Sequence, residues 1–116
     1  MLQPGEPASR YHGESAQEDF LVLQGTGTLV IEGEERLLKQ WDFVHCPAGT
    51  EHVFVGAGDG PCVVLMVGAR GDLTFHYPVD EAAAKYGASV ETETDTPAEA
   101  YAGLPQWQKL DRAPVW

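Results

Sequence analysis

Short apolar runs separated by glycine-containing turns dominate the first two thirds of the chain. Between Glu18 and Val67 the runs read EDFLVLQ, TLVIEG, RLLKQWD, FVHC, HVFVG and CVVLMVG. The turns between them contain glycine or proline, as in the segments at residues 25–27 and 47–49. Many short strands at close spacing, with no helical period, are typical of an all-β sandwich or barrel. The pattern therefore predicts an all-β fold.

The alternation within the first run predicts which of its side chains face the core. Residues two apart in a strand share a face. If Glu18 points inward, Phe20 and Val22 follow it, whereas Leu21 and Leu23 point outward. Leucines are unfavourable in water, so another sheet, the tail or a second subunit is expected to cover this outer face. The pattern favours self-association, and a homodimer is the expected assembly.

The last third of the chain has a different character, because Ala, Glu, Thr and Pro become frequent. DEAAAKYG predicts a short helix that Asp80 caps and Gly87 ends. TPAEAYAG predicts a second helix, with Thr96 as its cap, Pro97 at the first helical position and Glu99 closing a capping box. SVETETD, between the two helices, is expected to be an edge strand or a loop.

These changes predict two parts within one chain. Residues 1–71 are expected to form the barrel core, and residues 72–116 a C-terminal extension with one or two short helices that packs on the barrel. Trp107 and Trp116 are the expected aromatic anchors of this extension. A partly disordered tail is the alternative.

Composition and charge narrow the class of partner. A chain of 116 residues fits one domain with a single core. Its formal net charge is −11 and its seven basic residues are dispersed, whereas nucleic acid and anionic membranes need clustered Lys and Arg. We therefore expect no nucleic-acid and no membrane partner. Without an apolar span or a visible secretory signal, a cytoplasmic location is expected, with Cys46 and Cys62 as buried, reduced thiols.

Four residues stand out as candidate metal ligands. His12, Glu14 and Glu18 lie in YHGESAQEDFLVLQG, and His52 ends WDFVHCPAGTEH. Two imidazoles and two carboxylates form a mixed nitrogen and oxygen donor set of the kind that binds divalent metal ions. His12 and Glu14 are two residues apart and would share a strand face. Buried groups of this kind must be paired or bound to a metal.

The two segments resemble the motifs of the cupin family. The first reads Gly5, six residues, His12-x-Glu14, three residues, Glu18, six residues and Gly25. The second reads Trp41, five residues, Pro47-x-Gly49, two residues, His52, three residues and Gly56. The resemblance covers residues 5–68. It implies an antiparallel β-barrel of the jelly-roll type with a metal ion at its centre.

Three positions depart from the family's pattern. Glu14 stands where the family usually has a second His, Trp41 replaces a Gly, and Gly56 replaces an Asn. The resemblance carries His12, Glu18 and His52 over as ligands, a set that suits Fe(II) with open coordination positions. Glu14 is either a fourth ligand or a catalytic general base. Loss of the metal, as in some cupins, is the third alternative.

The resemblance implies a class of function without selecting a reaction. We expect a divalent metal ion, with Fe, Mn, Zn and Ni not distinguished, and a small polar molecule as substrate or ligand. Dioxygenases, isomerases and decarboxylases are the implied enzyme classes, and a non-catalytic ligand-binding module is the alternative. Cupin barrels usually have one or two strands before the first motif, so a partner chain is expected to supply an edge unless this is a shortened form.

Overall fold

The predicted all-β fold is confirmed by the computed structural model, which describes residues 1–105. Eight strands and two one-turn helices follow one another along the chain. They are β1 (Gly13–Glu14), β2 (Glu18–Gln24), β3 (Thr26–Ile31), β4 (Glu34–Lys39), β5 (Phe43–Cys46), β6 (His52–Ala57), β7 (Val63–Gly68), β8 (Phe75–His76), α1 (Glu81–Ala84) and α2 (Pro97–Ala100). In this part of the chain no helix is long and apolar enough to cross a membrane.

The strands form two three-stranded antiparallel sheets and one small ribbon. One sheet has the order β5-β2-β7 and the other the order β4-β3-β6, while β1 pairs with β8 in a two-stranded ribbon. The sheets are consistent with a jelly roll, although among the described residues they do not join into a closed hydrogen-bonded ring. Apart from β3 and β4, the paired strands are not consecutive in sequence, so segments far apart along the chain lie side by side.

The main core lies between the sheets and extends to the candidate site. Phe20 and Val22 of β2 meet Leu29 of β3 and Phe54 of β6, and all four are buried. The predicted inward direction of Phe20 and Val22 is thus confirmed. Gly27 makes room for this packing, because a Cβ there would lie 2.1 Å from a ring carbon of Phe54.

The opposite face of the β5-β2-β7 sheet is apolar and open. Leu21 is in register with Phe43 on one side and Leu65 on the other, and residues directly opposite in antiparallel strands share a face. The side chains of Phe43 and Leu65 are 64% and 49% exposed. His45 lies on the same face beside Asp19. Phe43 and His45 are therefore both exposed in the single chain.

Trp41 and Gly25 both occupy turns with a positive φ angle. Trp41 departs from the family's pattern at a strained position, and Gly25 matches the pattern at a position that requires glycine. Trp41 has φ +74°, a left-handed conformation that favours glycine. A Cβ at Gly25, where φ is +75°, would lie 2.4 Å from the carbonyl oxygen of Pro61. Gly25 is therefore required by both its conformation and its contact, whereas Trp41 holds a strained turn with an exposed side chain.

The predicted helices are present, but only the first has the predicted cap. The Asp80 carboxylate accepts a hydrogen bond from the Ala83 N–H, as expected at a helix N-terminus. The capping box at Thr96 is wrong, since its side chain makes no cap hydrogen bond. The neighbouring Thr94 hydroxyl accepts from the Thr96 N–H and donates to the Glu99 carboxylate. Thr94 forms an isolated bridge with Tyr77, and this bridge holds the Thr94 hydroxyl beside Glu99.

The extension contacts the barrel through polar and apolar groups. Glu35 of β4 accepts hydrogen bonds from Lys85 and Tyr86, and Ala83 packs in a cluster with Tyr11. SVETETD is a loop with a single bridge at Thr94. The division into residues 1–71 and 72–116 stays a prediction, and the two tryptophans expected to anchor the tail lie outside the described residues.

Candidate metal centre

The two histidines of the candidate site are held side by side by their backbones. His12 and His52 form an isolated antiparallel bridge, with two N–H···O hydrogen bonds of 3.1 and 2.9 Å. Their side chains are therefore directed to the same side, and the ring centroids lie 5.4 Å apart. Both residues are buried, at 8% and 3% exposure. Residues 40 positions apart along the chain thus present one pair of imidazoles.

Glu18 approaches this pair from the other sheet. As the first residue of β2 it lies across the core from His52, the first residue of β6. Its Oε2 is 2.8 Å from Nε2 of His52 and 3.8 Å from Nε2 of His12. One donor atom from each of the three residues lies within 4.8 Å of the other two. The three side chains meet at one point between the sheets.

Backbone carbonyls fix which nitrogen of each ring faces Glu18. Nδ1 of His12 lies 2.7 Å from the Arg10 carbonyl oxygen, and Nδ1 of His52 lies 2.9 Å from that of Thr50. A carbonyl only accepts, so each Nδ1 must carry a proton to make the bond. Each Nε2 is then left with a lone pair in the neutral ring, which is the form that binds a metal.

Burial and charge set the protonation of the three groups. Burial lowers the pKa of His12, and the charge of His52 lowers it further. Burial also acts to lower the pKa of His52, but the Glu18 carboxylate and the Thr50 carbonyl outweigh it, and the result is a raised pKa. Burial acts to raise the pKa of Glu18, yet the facing imidazoles leave it lowered. Without metal, the raised pKa of His52 and the lowered pKa of Glu18 both favour an imidazolium–carboxylate pair.

The donor set fits a divalent cation. With both rings neutral and protonated on Nδ1, the buried Oε2 of Glu18 faces bare Nε2 atoms and receives no hydrogen bond within residues 1–105. A buried carboxylate oxygen without a donor is unfavourable unless a cation lies beside it. Two imidazole nitrogens and one carboxylate are a known donor set for non-haem Fe(II) and suit other first-row divalent ions.

Glu14 lies beside this cluster and not in it. It is half-buried on β1, and its Oε1 and the Cγ of Glu18 both approach Gly68, at 3.9 and 3.8 Å from an ideal Cβ. Burial raises the pKa of Glu14, and the charge of Glu18 raises it further. Its carboxylate is outside the group of three donor atoms that lie within 4.8 Å of one another. Both predicted roles of Glu14, fourth ligand and general base, stay predictions.

Aromatic rings surround the imidazoles, and two of them come from an unexpected place. Phe20 lies edge-on to His52, with centroids 5.3 Å apart. Phe75 and Tyr77 lie 6.3 and 5.6 Å from the His12 ring. Sequence analysis named Phe20 by strand parity but missed the other two, because they follow the barrel run. Their alternation around His76 in FHY was the available signal, since it gives them a common face.

The remaining histidines are directed elsewhere. His45 pairs with Asp19 on the outer face of the sheet, and His76 pairs with Asp95 at 2.6 Å beside the extension. Both are substantially exposed, at 50% and 41% of their side-chain area. Neither belongs to the cluster of three.

The chain belongs to the cupin family. The family's cupin domain model matches residues 1–68, more than half of the chain, and this confirms the resemblance drawn from the two motifs. The match ends at β7, so β8 and both helices lie beyond it.

Comparisons with individual proteins agree with this assignment. The chain is 31% identical over 67 residues to a 5-nitrosalicylic acid 1,2-dioxygenase from Bradyrhizobium sp., a match that spans 58% of this chain and 32% of the dioxygenase. A sugar phosphate isomerase of the cupin superfamily from Silicibacter pomeroyi has 30% identity and a TM-score of 0.61, over 70% of this chain and 59% of the isomerase. A cupin protein from Bacteroides fragilis matches in fold, with 22% identity and a TM-score of 0.55 over 60% of each chain. The chain spans less than two thirds of these proteins.

Changing His52→Ala is expected to remove metal binding while the barrel stays folded. The substitution deletes one nitrogen donor, so affinity for Mn²⁺ or Fe²⁺ should fall by more than the roughly 10–100-fold that loss of a supporting hydrogen bond costs. Elemental analysis and competition with a chromophoric chelator measure the change, and far-UV circular dichroism checks the fold. His45→Ala is the matched control. Equal metal content in the two variants would remove the assigned site.

Metal affinity is expected to fall as the pH falls through the raised pKa of His52. The metal-free ring keeps its proton above the ordinary value of 6.5, and this proton must leave before Nε2 can bind a cation. Calorimetric titration in buffers of different ionisation enthalpy counts the proton released. Metal affinity that is constant between about pH 6 and 8 would contradict the arrangement.

The metal-free protein should show the opposite trend in stability. Because the folded pKa of His52 is raised, its contribution to the free energy of unfolding is complete below the unfolded pKa of about 6.5 and is lost as pH rises through the folded value. Urea denaturation with a chelator present, at a series of pH values, measures this contribution.

Proposed function

We propose that this protein is a divalent-metal-dependent enzyme that acts on a small polar molecule. The observation that carries the proposal is the buried Oε2 of Glu18 between two imidazoles whose Nε2 atoms face it. His12, Glu18 and His52 are the proposed ligands. In the neutral rings neither Nε2 carries a proton for Oε2, so a cation at this point would compensate the carboxylate.

The chain's own residues suit a reaction that includes a proton transfer. A bound divalent ion would supply Lewis-acid polarisation of a substrate oxygen or activation of water or dioxygen. Glu14 has a raised pKa and lies next to the ligand carboxylate, so it is the proposed general base. Phe20 and Phe75 cover the imidazoles on two sides and would limit access of water to the site.

Dioxygenase chemistry is the first of the implied reaction classes to test. The proposed donor set of two imidazoles and one carboxylate is the set that non-haem Fe(II) oxygenases use, and one relative at 31% identity is a dioxygenase. That relative acts on a nitrosalicylic acid, so hydroxybenzoic acids are the first substrates to test. Isomerisation is the second class, because a solved relative at 30% identity is a sugar phosphate isomerase.

A non-catalytic binding module is the alternative function. In that case the metal would hold a small ligand that does not react. The two functions differ in one measurable way, since only the enzyme consumes its ligand.

A homodimer completes the proposal. The open face of β5-β2-β7 carries Phe43, Leu21 and Leu65 in one row, and its polar pair, His45 and Asp19, is hydrogen-bonded within the chain. Two copies of a chain with a net charge of −11 can therefore meet at this face through apolar side chains. A cytoplasmic location is also part of the proposal, and the two free cysteine thiols support it.

The enzyme proposal is tested with Fe(II)-loaded protein and two substrate panels. We expect oxygen uptake with at least one hydroxybenzoic acid, measured with an oxygen electrode, or interconversion of a sugar phosphate, followed by proton NMR. Glu14→Gln should lower kcat by about 10²–10⁴-fold if the carboxylate transfers a proton, with unchanged metal content. Glu34→Gln, on the exposed strand β4, is the control.

The outcomes separate the possible roles of Glu14. Loss of metal together with activity would make Glu14 a ligand, whereas unchanged kcat would remove it from the chemistry. Binding of a panel compound without turnover would replace the enzyme proposal with the binding module.

The dimer is tested by placing a charge on the open face. Wild-type protein is expected to sediment at twice the 12.6 kDa chain mass, and Leu65→Lys should yield monomers because it buries an unpaired charge at the interface. Leu37→Lys is the control, because Leu37 is an equally apolar and 72% exposed residue of the other sheet. A monomeric wild type, or equal dissociation of both variants, would contradict this interface.

A further inference from the structure

We propose that Arg10 is a positioning residue that makes the C-terminal extension part of the metal centre. Its side chain binds the extension, and its backbone carbonyl orients the His12 ring. The inference rests on the proposed role of His12 as a metal ligand. It assigns a function to residues beyond 68, where the family match ends.

The guanidinium of Arg10 donates hydrogen bonds to carbonyl groups at or just beyond the C-terminal ends of both short helices. Its Nε donates to the carbonyl of Ala100, the last residue of α2, at 3.0 Å. Its Nη1 donates to the carbonyls of Gly87 and Ser89, just beyond α1, at 2.9 and 3.0 Å. Neither helix has a basic residue in its last turn, so Arg10 supplies the cation that such carbonyls favour. One side chain thereby binds both segments.

The backbone of the same residue connects to the candidate site. The Arg10 carbonyl accepts from Nδ1 of His12 at 2.7 Å, and the Arg10 N–H donates to the Tyr101 hydroxyl at 3.1 Å. The next N–H, of Tyr11, donates to the Ala88 carbonyl at 2.8 Å. The N–H groups of Arg10 and Tyr11, which directly precede His12, therefore both donate to residues of the extension.

The extension also holds the imidazole from its face. Tyr77 packs against the His12 ring at 5.6 Å and against Tyr101 in a T-shaped contact at 5.9 Å. Tyr101 in turn accepts the hydrogen bond from Arg10. The His12 ring is thus held at Nδ1 by the Arg10 carbonyl and on its face by the Tyr77 ring. Both contacts depend on the position of the extension.

Loosening this arrangement should reduce metal affinity without removing a ligand. Groups that orient a metal-binding His commonly affect affinity by about 10–100-fold. Arg10→Met keeps an unbranched side chain about as long as the aliphatic part of arginine and deletes the three carbonyl contacts. We expect affinity for Mn²⁺, measured by chelator competition, to fall within that range, and Arg10→Lys to recover part of it because an ammonium group can bind one carbonyl.

Arg36→Met is the matched control, because Arg36 is an exposed arginine paired with Glu34 on β4. It should leave Mn²⁺ affinity unchanged. Tyr101→Phe is a second variant, which removes the hydroxyl that receives the Arg10 N–H and retains the ring. It should weaken Mn²⁺ binding in the same direction, and it tests the inference if Arg10→Met does not fold.

A second readout reports on the ring itself without any metal. Two-bond ¹H–¹⁵N correlation spectra at fixed pH distinguish a protonated from a bare ring nitrogen. The metal-free wild type should show His12 protonated on Nδ1, whereas Arg10→Met and Tyr101→Phe should show a mixture of tautomers. The spectrum tests the role of Arg10 independently of the proposed function. A wild type that binds no metal would overturn the proposed function, whereas the tautomer of His12 in the variants would still decide the role of Arg10.

Two results would overturn the inference. One is an Arg10→Met protein that binds Mn²⁺ as tightly as the wild type and has an unchanged His12 tautomer. The other is an Arg36→Met protein that loses as much affinity as Arg10→Met, because the effect would then follow loss of any arginine.

Discussion

The contact between Glu18 and His52 is the constraint on which the rest of the structure depends. A carboxylate of one sheet and an imidazole of the other lie 2.8 Å apart in the interior, where an ionised group must be compensated. The sheets have to meet in one register for this contact to form. Phe20 and Phe54 pack against each other directly behind it, so the same register that fills the core also assembles the site.

The supporting groups around this contact have unequal origins. Thr50 lies within the second family motif and orients His52 through a turn next to it in sequence. Arg10 orients His12 with help from residues more than 70 positions away. Nδ1 of one imidazole is thus bound by local backbone, and Nδ1 of the other by backbone that a remote segment holds.

The strands and the donor residues were predictable because they depend on local pattern and spacing. Phe20 and Val22 alternate with Leu21 as a half-buried strand must, and the glycine at 25 marks a turn that no other residue could form. His12, Glu18 and His52 could be grouped from the sequence because their spacing resembles the two family motifs, and the structure brings their side chains together. The predicted caps were less secure, because Thr94 and Thr96 compete for the same helix end and only their tertiary setting decides between them.

The contacts that cross between distant segments could not be predicted. Arg10 is an ordinary basic residue in the sequence, and its three acceptors are backbone carbonyls that leave no trace in side-chain identity. Phe75 and Tyr77 reach His12 only because β8 pairs with β1. The exposure of Phe43 could not be predicted either, because an apolar residue in a strand does not indicate whether its side of the sheet is covered.

Anomalous diffraction from crystals grown with Mn²⁺ or Fe²⁺ tests the central claim most directly. A single anomalous peak is expected between the two sheets, about 2.0–2.2 Å from Nε2 of His12, Nε2 of His52 and a carboxylate oxygen of Glu18. The same map would show whether Glu14 contacts the ion. An ion bound only at His76 and Asp95, or no peak with the two imidazoles turned apart, would contradict the assignment of this site.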